Sequence, residues 1–208
     1  MPSAKEQVFD RIHDTQFIYR TLLEAMSRPG HVSSIAPACG KLELADPAHK
    51  IVTGLALTLL DGEVSFSISM KRGGELEDSI RKQTFSQVQP SEKADYIFAD
   101  GSGDEDYIRE LMSSVRTGTL LAPEAGATLF LMVDHFNNEN TVTDQWTLSG
   151  PGIMETRTLS VSGISKEWMT ERARVNAEYP MGVDMVLFTP GGQMTALMRT
   201  TKVRGVGI

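Results

Sequence analysis

A chain of 208 residues, 40% of them apolar, is long enough for one sizeable core and ordinary for a soluble protein. The formal net charge of −7, from 27 acids and 20 bases with no Lys/Arg block, disfavours nucleic acid as a partner, and no run approaches the ~18 apolar residues of a membrane span. The single cysteine, Cys39, excludes an intramolecular disulfide, and the polar start MPSAKEQVFD lacks an apolar signal core, so a reducing cytoplasm is the expected home.

Residues 1–13 read as a loose lead-in. The spacing of Ile18, Leu22, Ala25 and Met26 predicts a helix over 14–27, capped by Asp14 and stopped by Pro29-Gly30. Arg20 and Glu24, four apart, are placed to pair on its wet side. Residues 31–45 read as loop with at most one short strand. Asp46-Pro47 opens a strongly apolar helix over 47–60. Val64, Phe66 and Ile68 alternate with Ser65, Ser67 and Ser69, which is the period of a strand with one polar face.

After Gly73-Gly74 a short amphipathic helix over 76–85 turns Leu76, Ile80 and Phe85 inward. Tyr96–Ala99 reads as a short strand, and Asp104 caps a helix over 105–115. This alternation of strand and helix points to an α/β fold. The most organised stretch follows, GTLLAPEAGATLFLMV over 118–133. Pro123 and Gly126 mark a turn, and the run Ala127–Val133 reads as a buried strand. The turn carries one acid, Glu124, and Gly126 permits close backbone approach. It is either a site or a tight corner.

In the last third, strands are predicted over 141–148 and 154–161 around the turn Ser149–Gly152. Ser165 caps a helix running to Ala177. Val183–Thr189 is apolar on both faces, as in a fully buried strand, and Pro190-Gly191-Gly192 turns it into a return strand over 194–200. Met181, Met185, Met194 and Met198 cluster there, either as core filling or as an adaptable surface.

Chemistry is sparse. The four histidines, His13, His31, His49 and His135, have no Cys or second His at a ligand spacing, and neither HExxH nor CxxC occurs, so no metal is expected. His49 reads as a surface residue near a helix start, and His135 follows the buried strand, where it can reach a cleft. Cys39 lies in a loop with no catalytic signature and reads as a spectator thiol. Gly101-Ser102-Gly103 joins a strand to a helix, but it is neither GxGxxG nor a P-loop, and Asp100, Asp104, Glu105 and Asp106 repel phosphate there. Lys71-Arg72-Gly73-Gly74 either meets an anion or forms a solvated turn. No catalytic set emerges, and no catalytic residue is assigned.

Four stretches carry a likeness. The signature FRxLLxAMSxPG reads IYRTLLEAMSRPG here, Ile18 to Gly30. GTLLAPEAGATLFL, LSGPGI and YPMGVDMVLFTPGGQMTALMRTTKV follow in order at 118–131, 148–153 and 179–203. Together they resemble the PhnH family, subunits of the carbon–phosphorus lyase machinery for phosphonate use. The resemblance implies a three-layer α/β/α fold with a mixed sheet over 1–208, similar in topology to the large domain of pyridoxal-phosphate-dependent transferases but without the cofactor lysine. No cofactor is therefore carried over. It also implies a homodimer and a multisubunit core with PhnG, PhnI and PhnJ-like partners. That core converts an alkylphosphonate and ATP towards a ribose 1-phosphonate 5-triphosphate. Residues 204–208 depart from the family form and read, with 1–13, as flexible ends. The two function classes are an accessory subunit of that core and an independent transferase or phosphorylated-ligand enzyme. A cleft gathering Glu124, His135 and an arginine would favour the second.

Overall fold

The structure, a computed structural model, describes residues 8–71, 73–136 and 144–205. Helix α1 (His13–Ser27) buries Ile18, Leu22 and Ala25 along one face. Its start corrects the expected cap. Asp10, not Asp14, accepts hydrogen bonds from the free amides of Ile12 and His13, at 2.7 and 3.0 Å. Asp14 is buried and accepts from Lys41 Nζ at 2.7 Å, tying α1 to the loop after Cys39. Glu24 pairs with Arg28 rather than with Arg20.

The loop expected over 31–45 contains β1 (Ser33–Ser34) and a one-turn helix, α2 (Ala36–Cys39). Helix α3 (Pro47–Leu59) starts as expected, with Asp46 accepting from the Ala48 amide at 2.8 Å. Strand β2 (Ser65–Ser69) buries Phe66, while its serine face is covered by Ser91, whose hydroxyl lies 3.0 Å from Ser67 Oγ. Helix α4 (Gly74–Thr84) buries Leu76 and Ile80. Phe85 is not inward. It takes the left-handed C-cap conformation, φ 62°, which ends the helix and leaves the ring 81% exposed.

Strand β3 (Gln87–Val88) precedes β4 (Tyr96–Asp100), α5 (Glu105–Ser114, capped by Asp104) and β5 (Thr128–Met132). Then come β6 (His135–Phe136), β7 (Asp144–Ser149), β8 (Arg157–Ser162) and α6 (Glu167–Val175). The predicted strand residues 141–143 lie outside the described residues. β8 starts later than expected, because Gly150, Gly152 and Glu155 all take positive φ and extend the turn. The chain ends with β9 (Asp184–Phe188), β10 (Gln193–Leu197) and β11 (Lys202–Gly205). Arg204 and Gly205, expected in a loose end, instead pair with Thr147 and Trp146 of β7.

The larger sheet has the order β1-β10-β9-β5-β4-β2-β3. All its strands run one way except β10, which pairs antiparallel with both neighbours. Strand alternation splits the core into two clusters. Phe98, Phe130, Val186 and Phe188 face α1 to α4, with the rings of Phe98 and Phe130 stacked 5.0 Å apart. Ile97, Ala99, Leu129, Leu131, Met185 and Leu187 face α5 and α6. The mixed sheet and its flanking helices are those of an α/β fold. The second flank also holds a four-stranded antiparallel sheet, β11-β7-β8-β6, which buries Trp146, Leu148, Leu159 and Val161 in the same cluster. That layer is therefore part helix and part sheet, not the purely helical one expected. Met185 and Met194 are fully buried on opposite faces, so these two methionines fill core. No helix among the described residues is long and apolar enough to cross a membrane.

Candidate functional site

The large sheet has two contrasting edges. At the N-terminal ends of its parallel strands, the distinctive sequence stretches meet one another. Pro123–Ala125 forms a single 3-10 turn before β5. The carbonyl of Pro123 accepts from Arg199 Nη1 at 2.7 Å, and the carbonyl of Pro180 accepts from the same nitrogen at 3.2 Å. Arg199 also donates to Asp184 Oδ2 through Nε and Nη2, at 3.2 and 2.8 Å, while its amide donates to Oδ1 at 2.6 Å. Side chains of both ions are about one-eighth exposed, 14% and 13%. One guanidinium thus joins the APEAGAT turn, the YPMGVD loop and the end of β10. The preceding Tyr179-Pro180 peptide is cis.

Glycine is required at the contact. A Cβ on Gly126 would lie 2.4 Å from the Gly182 carbonyl oxygen, well inside contact distance. The Gly182 amide donates to the Thr117 carbonyl at 2.8 Å, and Asn176 brackets Val183 by accepting from its amide and donating to its carbonyl. Next along the edge, Asp95 accepts from the Ser65 amide at 2.8 Å, the Ser65 hydroxyl at 2.6 Å and Arg116 Nη1 at 2.6 Å. Burial alone pushes the Asp95 carboxyl up, but the Ser65 hydrogen bonds and the Arg116 charge together hold it below the usual value. Polar links therefore run along the N-terminal ends of β2, β4, β5 and β9.

The other two family-like stretches also meet each other. Gly30 lies at φ 77°, and an added Cβ there would lie 2.5 Å from Leu148 Cδ1. An added Cβ on Gly152 would lie 2.2 Å from the Ser27 carbonyl oxygen. Arg157 Nη1 donates to the carbonyls of Arg28 and Pro29, at 3.3 and 3.0 Å. The end of α1 is thereby fastened to the small sheet.

The C-terminal edge is open. Helices α4 and α5 leave β2 and β4 on opposite faces of the sheet, and the crevice between such diverging crossovers is where open α/β sheets take ligands. A cleft of about 370 Å³ lies there, lined by His49, Lys71, Asp100, Ser102 and Met132 among others. Asp100, 9% exposed, accepts from the Lys71 amide at 3.0 Å. Lys71 and His49 thus reach a cleft, while Arg72 lies outside the described residues. Gly101 serves packing: its carbonyl accepts from the Ser165 amide at 2.8 Å and from Trp168 Nε1 at 3.0 Å, and a Cβ there would lie 2.6 Å from the Met132 carbonyl oxygen.

Glu124 is exposed on the 3-10 turn, and Gly126 is half-buried beside Arg199. His135 is exposed in β6, beyond the far end of β5. The five-residue β5 separates Glu124 from His135 by about 16 Å of strand. Neither lines the C-terminal crevice. Cys39 is buried, with burial and then Asp14 pushing its thiol up to about 12, which leaves no thiolate at neutral pH. Among the described residues no group of three or more His, Cys, Asp or Glu is placed to hold a metal ion. Sequence reasoning missed Arg199, Asp184 and Asp95. Their polar spacing carries no local signal, since each partner comes from a distant segment.

Fold and edges define an α/β protein with a mixed sheet whose most distinctive segments are joints between elements. The family described as bacterial phosphonate metabolism protein (PhnH) matches residues 7–204. A putative C–P lyase subunit protein, HtxG of Stutzerimonas stutzeri, is 31% identical over 188 residues, covering 90% of this chain and 85% of that protein. The chain belongs to the PhnH family of phosphonate metabolism proteins.

Proposed function

We propose that this chain is an accessory, non-catalytic subunit of a cytoplasmic carbon–phosphorus lyase core, acting as a homodimer with PhnG, PhnI and PhnJ-like partners. In this reading the assembled core converts an alkylphosphonate and ATP to a ribose 1-phosphonate 5-triphosphate, and this subunit contributes structure. The relative named a putative C–P lyase subunit supports it. The carrying observation is that the family-like segments fold into two joints, around Arg199 and around Gly30, whose groups are engaged in bracing. The fold is proposed to be similar in topology to the large domain of pyridoxal-phosphate-dependent transferases, without the cofactor site. The independent-enzyme alternative called for Glu124, His135 and an arginine in one cleft, and their placement at opposite ends of β5 lends it no support.

Reconstitution tests the reading. The core is assembled with and without this protein, and conversion of methylphosphonate and ATP to the ribose phosphonate is followed. Turnover is expected only when it is present with the other subunits. Full turnover in its absence overturns the required-subunit reading, and turnover by this protein alone establishes the enzyme.

A further inference from the structure

A second, larger cleft of about 650 Å³ lies beside the Arg199 joint, between α6, the Tyr179 loop and β11. Its lining includes four cationic residues, Arg172, Arg199, Lys202 and Arg204, and no Asp or Glu among the described residues. In a chain of net charge −7 this is a local reversal of sign. The volume is that of a small-molecule site.

Arg172 makes the cleft more than a basic patch. It is 3% exposed in α6 and donates to the carbonyls of Thr201, Leu197 and Met198. Its Nε has no hydrogen-bond partner among the described residues, and neither has the buried hydroxyl of Thr201. Asp184, the carboxylate whose charge acts on Arg172, is already engaged by three groups of Arg199. Asp184 is thus divided between two guanidiniums and gives Arg172 only part of a counter-charge. Burial pushes Arg172 down to about 10, and Asp184 offsets only part of this. A buried cation without a full counter-charge is costly, and an anion in the cleft relieves it. Lys202 and Arg204, two apart on β11, are exposed on one face, while Val203 between them packs on the core. Met169 and Tyr179 add apolar surface to the wall.

We propose that this cleft binds a small organic molecule bearing a dianionic PO₃ group, the oxyanion held by Lys202 and Arg204 over the Arg172–Thr201 wall and the organic portion against Met169 and Tyr179. A phosphate monoester and a phosphonate share that group. The site goes beyond the subunit reading and does not depend on it, because it is tested on the isolated full chain.

Ribose 5-phosphate, methylphosphonate and ribose are titrated separately by calorimetry, with amide chemical-shift mapping. Expected is saturable binding of at least one of the two anions and none of ribose, with shifts centred on residues 172–204. Whether the site takes a phosphate monoester or a phosphonate is read from which anion binds more tightly. Lys202→Gln with Arg204→Gln changes two exposed side chains, so the fold survives, and it should weaken binding at least about tenfold. Raising salt should weaken binding in the parent. No saturable binding by either anion below about 10 mM overturns the site, as do unchanged affinity in the double variant or shifts centred on the His49–Lys71 cleft. Failure here leaves the reconstitution result untouched, and failed reconstitution leaves this binding intact.

Discussion

The two edges of the large sheet are built from the same strands and treated oppositely. At the N-terminal edge, Asp95, Arg116, Thr117, Gly126, Gly182, Asp184 and Arg199 form linked contacts between segments far apart in sequence. At the C-terminal edge the chain opens into the crevice between β2 and β4, where His49, Lys71 and Asp100 meet. Open α/β sheets commonly take ligands at the second kind of place. The difference teaches what a distinctive motif reports. In APEAGAT and PMGVD, Gly126 and Gly182 stand where an added Cβ would meet a neighbour at 2.4 and 2.3 Å, so these segments stand out where a side chain would not fit. The crevice between β2 and β4 needs only ordinary polar residues on loops, and it leaves no such mark.

The comparison breaks if the N-terminal edge can be altered freely. Arg199→Ala should have the largest effect, because it removes both guanidinium bonds to the almost buried Asp184 and frees two carbonyls. Urea unfolding at pH 7 should show a loss of about 3–5 kcal/mol. A loss under ~1 kcal/mol would mean that the joint is replaceable by water. Gly126→Ala comes next, at about 1–3 kcal/mol, since its Cβ meets a backbone oxygen that cannot swing aside. Its counterpart at the open edge is Gly74, where an added Cβ meets nothing within 4 Å. Gly74→Ala should be neutral or stabilising by up to ~1 kcal/mol. Equal losses at both glycines would erase the distinction between the edges.

Asp95→Asn sharpens the comparison through pH. The folded carboxyl lies below its unfolded value, so its contribution is present above that unfolded value and is lost as pH falls through the lower folded one. The parent should lose stability on acidification below about pH 4, and the variant should show a flatter profile there. At pH 7 the variant should be about 1–2 kcal/mol less stable, from weakened bonds to Ser65 and Arg116. Parallel pH profiles would show that Asp95 carries no linked proton. The smallest effect is expected at Glu124. It is exposed, so Glu124→Gln should change stability by less than about 0.5 kcal/mol and leave turnover of a reconstituted core unchanged. A loss of about a hundredfold in rate with intact assembly would move the acid from the corner into the chemistry.

Much of the layout was legible from local pattern. The 3.6-residue spacing of Ile18, Leu22 and Ala25, the Asp46-Pro47 start, the Asp104 cap and the apolar runs of β5 and β9 all act within a few residues, so each was readable in place. Phe85 was misread because its orientation follows from the left-handed cap and not from helical periodicity. Asp14 was misread because its partner, Lys41, is 27 residues away. The likeness of the four stretches also fixed the family without any structure.

Tertiary structure alone decided which residues work together. Glu124 and His135 looked like site candidates for being polar beside a buried strand, but a strand holds its two ends apart, and these residues lie at opposite ends. Arg199 carries no local signal, and it is a brace because β10 returns antiparallel and delivers it to Asp184 and Pro123. The same return, followed by β11, gathers Arg172, Lys202 and Arg204 round one cleft. Helix and strand patterns are set by near neighbours along the chain, whereas charge pairing and cavities depend on distances in space that sequence separation does not encode.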